Sequence, residues 1–165
     1  MLRLALAASL LTGVLLTPLL SGCTSPRAVA GPDGPPAPGD TTRAALDAAR
    51  ARWEAAGLDD YRFVYQVTCF CPEEARGPFA LTVRDGVVVE ALFQGRAMDP
   101  ADPRFATVDA LFETLAEAFD RGAASVRVTY DAALGYPAEA YVDYETMVAD
   151  EELGFAVRDL TPLGG

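Results

Sequence analysis

The longest alternation of apolar and polar positions runs from Tyr61 to Cys71. Tyr61, Phe63, Tyr65, Val67, Cys69 and Cys71 fall on one side, and Arg62, Val64, Gln66, Thr68 and Phe70 on the other. Successive strand side chains point to opposite faces, so this pattern predicts a long strand. Residues 79–84 and 87–93 predict two more strands. Asp85-Gly86 between them is a type I′ hairpin signal, because both positions of that turn need positive φ. Val126, Val128 and Tyr130 alternate in a fourth strand, residues 138–144 form a fifth and 155–160 a short sixth. Asp131 to Pro137 is a turn, with Gly135 able to take positive φ.

A period of 3.6 appears twice. Leu46, Ala49 and Trp53 share one helical face, with Asp40 or Thr41 as cap and Gly57 as stop. Trp53 reads as a core anchor. Thr107 caps a second helix to about Arg121, whose stripe is Val108, Leu111, Phe112, Leu115 and Phe119. Residues 99–105 form a Pro-punctuated loop. The order helix, three strands, helix, two strands, strand has short connections, which favour antiparallel neighbours. The expected fold is α+β: one antiparallel sheet of five to six strands with two helices on one face. Residues 41–161 are read as a single globular domain.

The first forty residues have another pattern. Arg3 is the only charged side chain before Cys23, and residues 4–16 are almost wholly apolar. A charged start, a short apolar core and small residues before a cleavage point describe a secretory signal. The run is too short for a membrane span, which needs about 20 apolar residues, and Pro18 interrupts any continuation of it. Leu20-Ser21-Gly22-Cys23 resembles the lipobox of bacterial lipoproteins. The resemblance implies cleavage after residue 22 and lipid on the Cys23 thiol and new amino group. Two or three acyl chains hold a protein durably, where one holds it only marginally. Thr24 stands where an inner-membrane retention signal would place Asp. The expected location is therefore outside the cytoplasm, anchored to the cell membrane or the outer membrane. Residues 24–40 contain five Pro and three Gly. Such a segment is a semi-extended tether, reaching roughly 50 Å at about 3.1 Å per residue.

Charge and composition narrow the function. A net charge of −11 opposes nucleic acid and any basic-patch contact with anionic lipid. His is absent from the sequence. No Ser-His or Cys-His dyad and no His-containing zinc site can form. The expectation is a non-enzymatic module with no cofactor beyond its lipid. No spacing among the 24 acidic residues singles out a catalytic pair.

Three features could still carry chemistry. With Cys23 lipidated, Cys69 and Cys71 have only each other, in an oxidising compartment. Residues i and i+2 of a strand lie roughly 6.6 Å apart, the upper edge of disulfide reach, so a bridge needs a local contraction next to Pro72. The readings are a structural disulfide, a redox-active dithiol and a soft-metal site such as Cu(I). The structural one leads because the loop is so small. Arg62 and Arg76 are the cations that folding would have to bring near for redox chemistry, and Met98 or Met147 the extra ligands for a soft metal. The acidic stretch 143–152 offers Asp143, Glu145 and Asp150 to calcium, without EF-hand spacing. A solvated acidic loop is the plainer account. Tyr136, in the Gly135-Tyr136-Pro137 turn, is either an exposed contact residue or a packed turn aromatic.

Residues 61–72 with their cysteine pair, 83–89 with their Asp-Gly turn, 128–137, 142–144 and 149–155 together resemble an uncharacterised bacterial family of secreted or lipid-anchored domains, over about 45–160. Ala132 and Thr146 stand where that family commonly has Pro, both at turns. The resemblance implies that the cysteines, the Gly-Tyr-Pro turn and the acidic loop belong to the domain's design. It implies no activity. The expected function is thus a lipid-anchored envelope module that binds or scaffolds an unknown envelope protein or ligand. A thiol-disulfide protein and a calcium-stabilised module are the alternatives.

Overall fold

Every strand predicted from alternation is present in the structure, a computed structural model that describes residues 41–69, 71–145 and 152–164. The signal (1–22), the tether with Cys23 (23–40) and Asp150 lie outside the described residues. The elements are α1 (Arg43–Ala56), β1 (Tyr61–Thr68), α2 (Glu73–Arg76), β2 (Phe79–Arg84), β3 (Val87–Phe93), β4 (Arg96–Met98), α3 (Val108–Asp120), β5 (Ser125–Tyr130), β6 (Pro137–Asp143) and β7 (Leu153–Pro162).

The seven strands make one sheet in the order β4-β3-β2-β1-β7-β6-β5, with every pairing antiparallel. Two meanders meet at the β1–β7 pair, and α3 carries the chain from one edge to the other. Asp85 (φ 48°) and Gly86 (φ 72°) are both left-handed, as the type I′ turn requires. The count exceeds the expected five to six because β4 has only three residues. It comes after the Gln94-Gly95 turn and is too short to show alternation. α2, a single turn after Pro72, was likewise illegible.

Boundaries shift for local reasons. β1 stops at Thr68 rather than continuing to Cys71. β7 starts at Leu153 and runs past an irregular step, where Asp159 takes φ 54° and the register with β1 slips between Arg62 and Val64. The cap of α1 is Thr42, whose hydroxyl accepts from the Ala45 N–H at 3.2 Å, not Asp40 or Thr41. Thr41 has another task. Its N–H donates to the Val126 carbonyl at 2.6 Å, and its hydroxyl accepts from the Val128 N–H at 2.8 Å. It thereby covers part of the open β5 edge.

The core lies on one face of the sheet. Tyr61, Phe63 and Tyr65 of β1 meet Leu46, Ala49 and Trp53 of α1 and the Leu111, Phe112 and Leu115 stripe of α3 in one buried cluster. Trp53 is the anchor its spacing suggested. Its ring stands edge-on to Tyr61 at 5.3 Å, and its indole N–H donates to Asp109 at 3.1 Å, tying α1 to α3. The Tyr61 hydroxyl accepts from the Val108 N–H at 3.0 Å. It thus occupies an N–H at the start of α3 that the helix itself leaves free. The opposite face of the sheet carries Arg62, Gln66, Thr82, Glu90, Arg127, Glu139 and Arg158.

Candidate functional site

β1 continues past Thr68 into the cysteine pair. Cys69 keeps the core-side parity of Tyr65 and Val67, and Cys71 folds back beside it. Their Cα atoms are 5.3 Å apart and their sulfurs at disulfide distance. The separation is well below the roughly 6.6 Å of a flat strand, so the contraction that the pairing required is present. Pro72 and α2 then turn the chain toward β2. Gly77 is essential to that turn. At φ 89°, a Cβ there would lie 2.9 Å from the Tyr65 carbonyl oxygen and 2.8 Å from the Phe79 nitrogen.

The loop from Asp99 to Thr107 closes over the same end of the sheet. Asp102 holds Arg104 through two side-chain bonds, Nε at 2.9 Å and Nη2 at 2.6 Å. A further Arg104 nitrogen donates to the Glu74 carbonyl at 3.2 Å, linking the loop to α2. The guanidinium lies 5.9 Å from the Phe79 ring centroid and 5.8 Å from that of Phe105. The Arg104 bonds hold the Asp102 carboxyl down at about 2.

Between this loop, α3 and the β1–β7 pair lies a cleft of about 370 Å³. Tyr65, Val67, Leu111, Leu153 and Phe155 form its apolar walls, the disulfide sits on its rim, and Arg104 is the one charged lining residue among the described residues. Tyr65 is 5% exposed. Its hydroxyl makes no hydrogen bond among the described residues, and burial pushes the phenol up to about 12. A second depression, of about 380 Å³, is lined by Cys69, Cys71, Pro72 and Arg76. The half-buried disulfide therefore meets both hollows.

The structure sorts the predicted site residues. Arg76 comes to the cysteines. Arg62 does not, since it sits at the far end of β1 opposite Thr82 and Thr161. Met98 lies on β4, three strands away from β1, and Met147 lies outside the described residues. Asp143 ends β6 opposite Ser125, Glu145 comes two residues later, and Asp150 lies outside the described residues. Among the described residues, no group of three His, Cys, Asp or Glu side chains could hold a metal ion. Tyr136 takes the packed alternative, not the exposed one: it is 9% exposed, with its ring 6.5 Å from Trp53. Its neighbour Gly135 explains the close fit. A Cβ at Gly135 would collide with the Ala49 carbonyl oxygen of α1. Sequence reading missed Tyr65, Asp102 and Arg104. Asp102-Pro103-Arg104 carried a turn signal but none for a cleft.

A model of a family of unknown function, DUF6174, matches residues 45–162. The chain belongs to the DUF6174 family. The matched span runs from within α1 to the last residue of β7, so the long helices, the whole sheet, the disulfide and the cleft belong to the DUF6174 domain. Comparison with curated proteins and with solved structures gives no match.

Proposed function

We propose that this protein is a lipid-anchored envelope protein whose DUF6174 domain is a non-enzymatic binding module. Leu20-Ser21-Gly22-Cys23 supports the anchor, and residues 24–40 supply the reach. The observation that carries the binding role is the apolar cleft at the disulfide end of the sheet. The one charged lining residue among the described residues, Arg104, is already engaged by Asp102. Such a lining offers surface for a ligand and no acid-base pair for a reaction. On this reading the partner is an envelope protein or ligand, and the disulfide stiffens the cleft's rim. Fractionation of cells carrying Cys23→Ala tests the anchor. The variant is expected in the soluble fraction, and retention in the membrane would overturn the anchored reading.

A second reading is a thiol-disulfide protein using Cys69 and Cys71. The half-buried pair lines two solvent-facing hollows, and Arg76 shares one of them. A nearby cation lowers a thiol pKa and eases exchange. Thiol titration of the exported protein against a graded glutathione buffer decides. Two thiols released under mild reduction favour exchange chemistry, and a bridge that persists favours the structural role.

A further inference from the structure

The Tyr65 hydroxyl is unusual among the buried phenols at this end of the core. Tyr61, four residues earlier on the same strand face, gives its oxygen to the Val108 N–H. Tyr65 is nearly as buried, lines the cleft, and has no hydrogen-bond partner among the described residues. Among the described residues only the Tyr130 hydroxyl is both sealed from solvent and unpartnered, so the Tyr65 oxygen opens on the cleft even though its ring is buried. A donor is therefore held at the wall of a mostly apolar hollow, in which the Thr114 hydroxyl is spent on the Ala110 carbonyl, and whose size falls in the range of small-molecule sites, roughly 300–1,000 Å³. Charge narrows the ligand further. The Arg104 fork is spent on Asp102, so the neutral pair offers no free guanidinium for a carboxylate, and no carboxylate is among the described lining residues to hold a cation. The net charge of −11 also keeps anions away.

We propose that this cleft binds a small neutral amphiphile: an apolar body carrying one carbonyl or ether oxygen, which accepts a hydrogen bond from the Tyr65 hydroxyl. The apolar part lies against Val67, Leu111 and Phe155, and the ligand enters beside the disulfide. The proposal deepens the binding-module reading and rests on it.

The test uses the full chain with Cys23→Ser, which carries no lipid and needs no detergent. The probe is prodan, a neutral naphthalene ketone whose emission moves to longer wavelength when its carbonyl accepts a hydrogen bond. Saturable binding with a hydrogen-bonded emission is expected. Tyr65→Phe should weaken it by about two- to tenfold, the worth of one net hydrogen bond, and shift the bound emission to shorter wavelength. Thr114→Trp, which fills the cleft from α3, should abolish the saturable component. Tyr141→Phe, on the opposite sheet face, should change nothing. Absence of saturable binding, or full affinity in Thr114→Trp, overturns the site. Unchanged affinity and emission in Tyr65→Phe overturns the ligand class. None of these outcomes touches the Cys23→Ala fractionation, so a failed cleft is distinguishable from a failed anchor.

Discussion

Tyr61→Phe removes one oxygen atom from the centre of the fold. The phenylalanine keeps the edge-on contact with Trp53, whose ring lies 5.3 Å away, and the contact with Phe63 at 5.7 Å. What it loses is the acceptor for the Val108 N–H, 3.0 Å distant, at a position where both residues are fully buried. Water cannot easily replace that acceptor, so the amide is left unpaired at a cost of about 1–3 kcal/mol. Part of the helix N-terminus survives, because the Thr107 hydroxyl still accepts from the Ala110 N–H. Urea unfolding should show a lower midpoint at unchanged slope, since the surface exposed on unfolding is the same. Melting should drop by about 4 °C for each kcal/mol lost. Tyr65→Phe is the matched control: same strand, same face, no partner among the described residues to lose, and an expected change within about 0.5 kcal/mol in either direction. A Tyr61→Phe loss no larger than that of Tyr65→Phe would refute the claim that the Tyr61 hydroxyl caps α3.

The two glycines Gly135 and Gly95 should separate when changed to Ala. Both have positive φ, but a Cβ at Gly135 meets α1 backbone while one at Gly95 meets nothing within 4 Å. Losses of more than about 2 kcal/mol at Gly135 and about 1 kcal/mol at Gly95 are expected from urea midpoints; equal losses would count against close packing of the turn on α1. Replacing both Cys69 and Cys71 by Ser should cost under about 2 kcal/mol, because closing so short a loop removes little chain entropy, and a larger loss in the same assay would show that the bridge holds the cleft end together. Tyr61, Tyr65 and Tyr130 have phenols pushed up to about 12, chiefly by burial. Raised folded-state values stabilise the neutral form, so stability should be full below pH 10 and fall as pH rises toward 12; phenolate absorbance showing all six tyrosines ionising together near pH 10 would contradict this. Calcium and chelator should leave the melting temperature unchanged if Asp143 and Glu145 are a solvated loop end, and a rise with calcium would restore the cation reading.

The strands were legible because alternation is a local signal. Phe79–Arg84 and Val87–Phe93 begin and end where the pattern and the Asp85-Gly86 turn place them. The α3 stripe is equally local, and four of its five predicted residues are buried, with Phe119 packed at the margin. Elements too short to repeat their period were lost, which accounts for β4 with three residues and α2 with four. Thr41 shows another limit. It looked like a helix cap because Ser, Thr and Asp at a helix start usually are caps. Its neighbour Thr42 takes that role, while Thr41 bonds residues 126 and 128, a partnership that no spacing in the sequence announces.

The cleft fails to appear in the sequence for the same reason, and Tyr61 and Tyr65 make the point sharpest. Both are tyrosines on one face of one strand, and alternation assigns both to the core. Nothing within four residues distinguishes them. Their difference comes from what arrives opposite: the first turn of α3 over Tyr61, and over Tyr65 a hollow bounded by Arg104, Leu111 and Phe155. A phenol over a free helix N–H is a structural acceptor. A phenol over a hollow is a donor without a partner among the described residues. Periodicity therefore identifies where a hydroxyl is buried, and only the packing of distant segments decides whether the protein itself or a ligand completes its hydrogen bond.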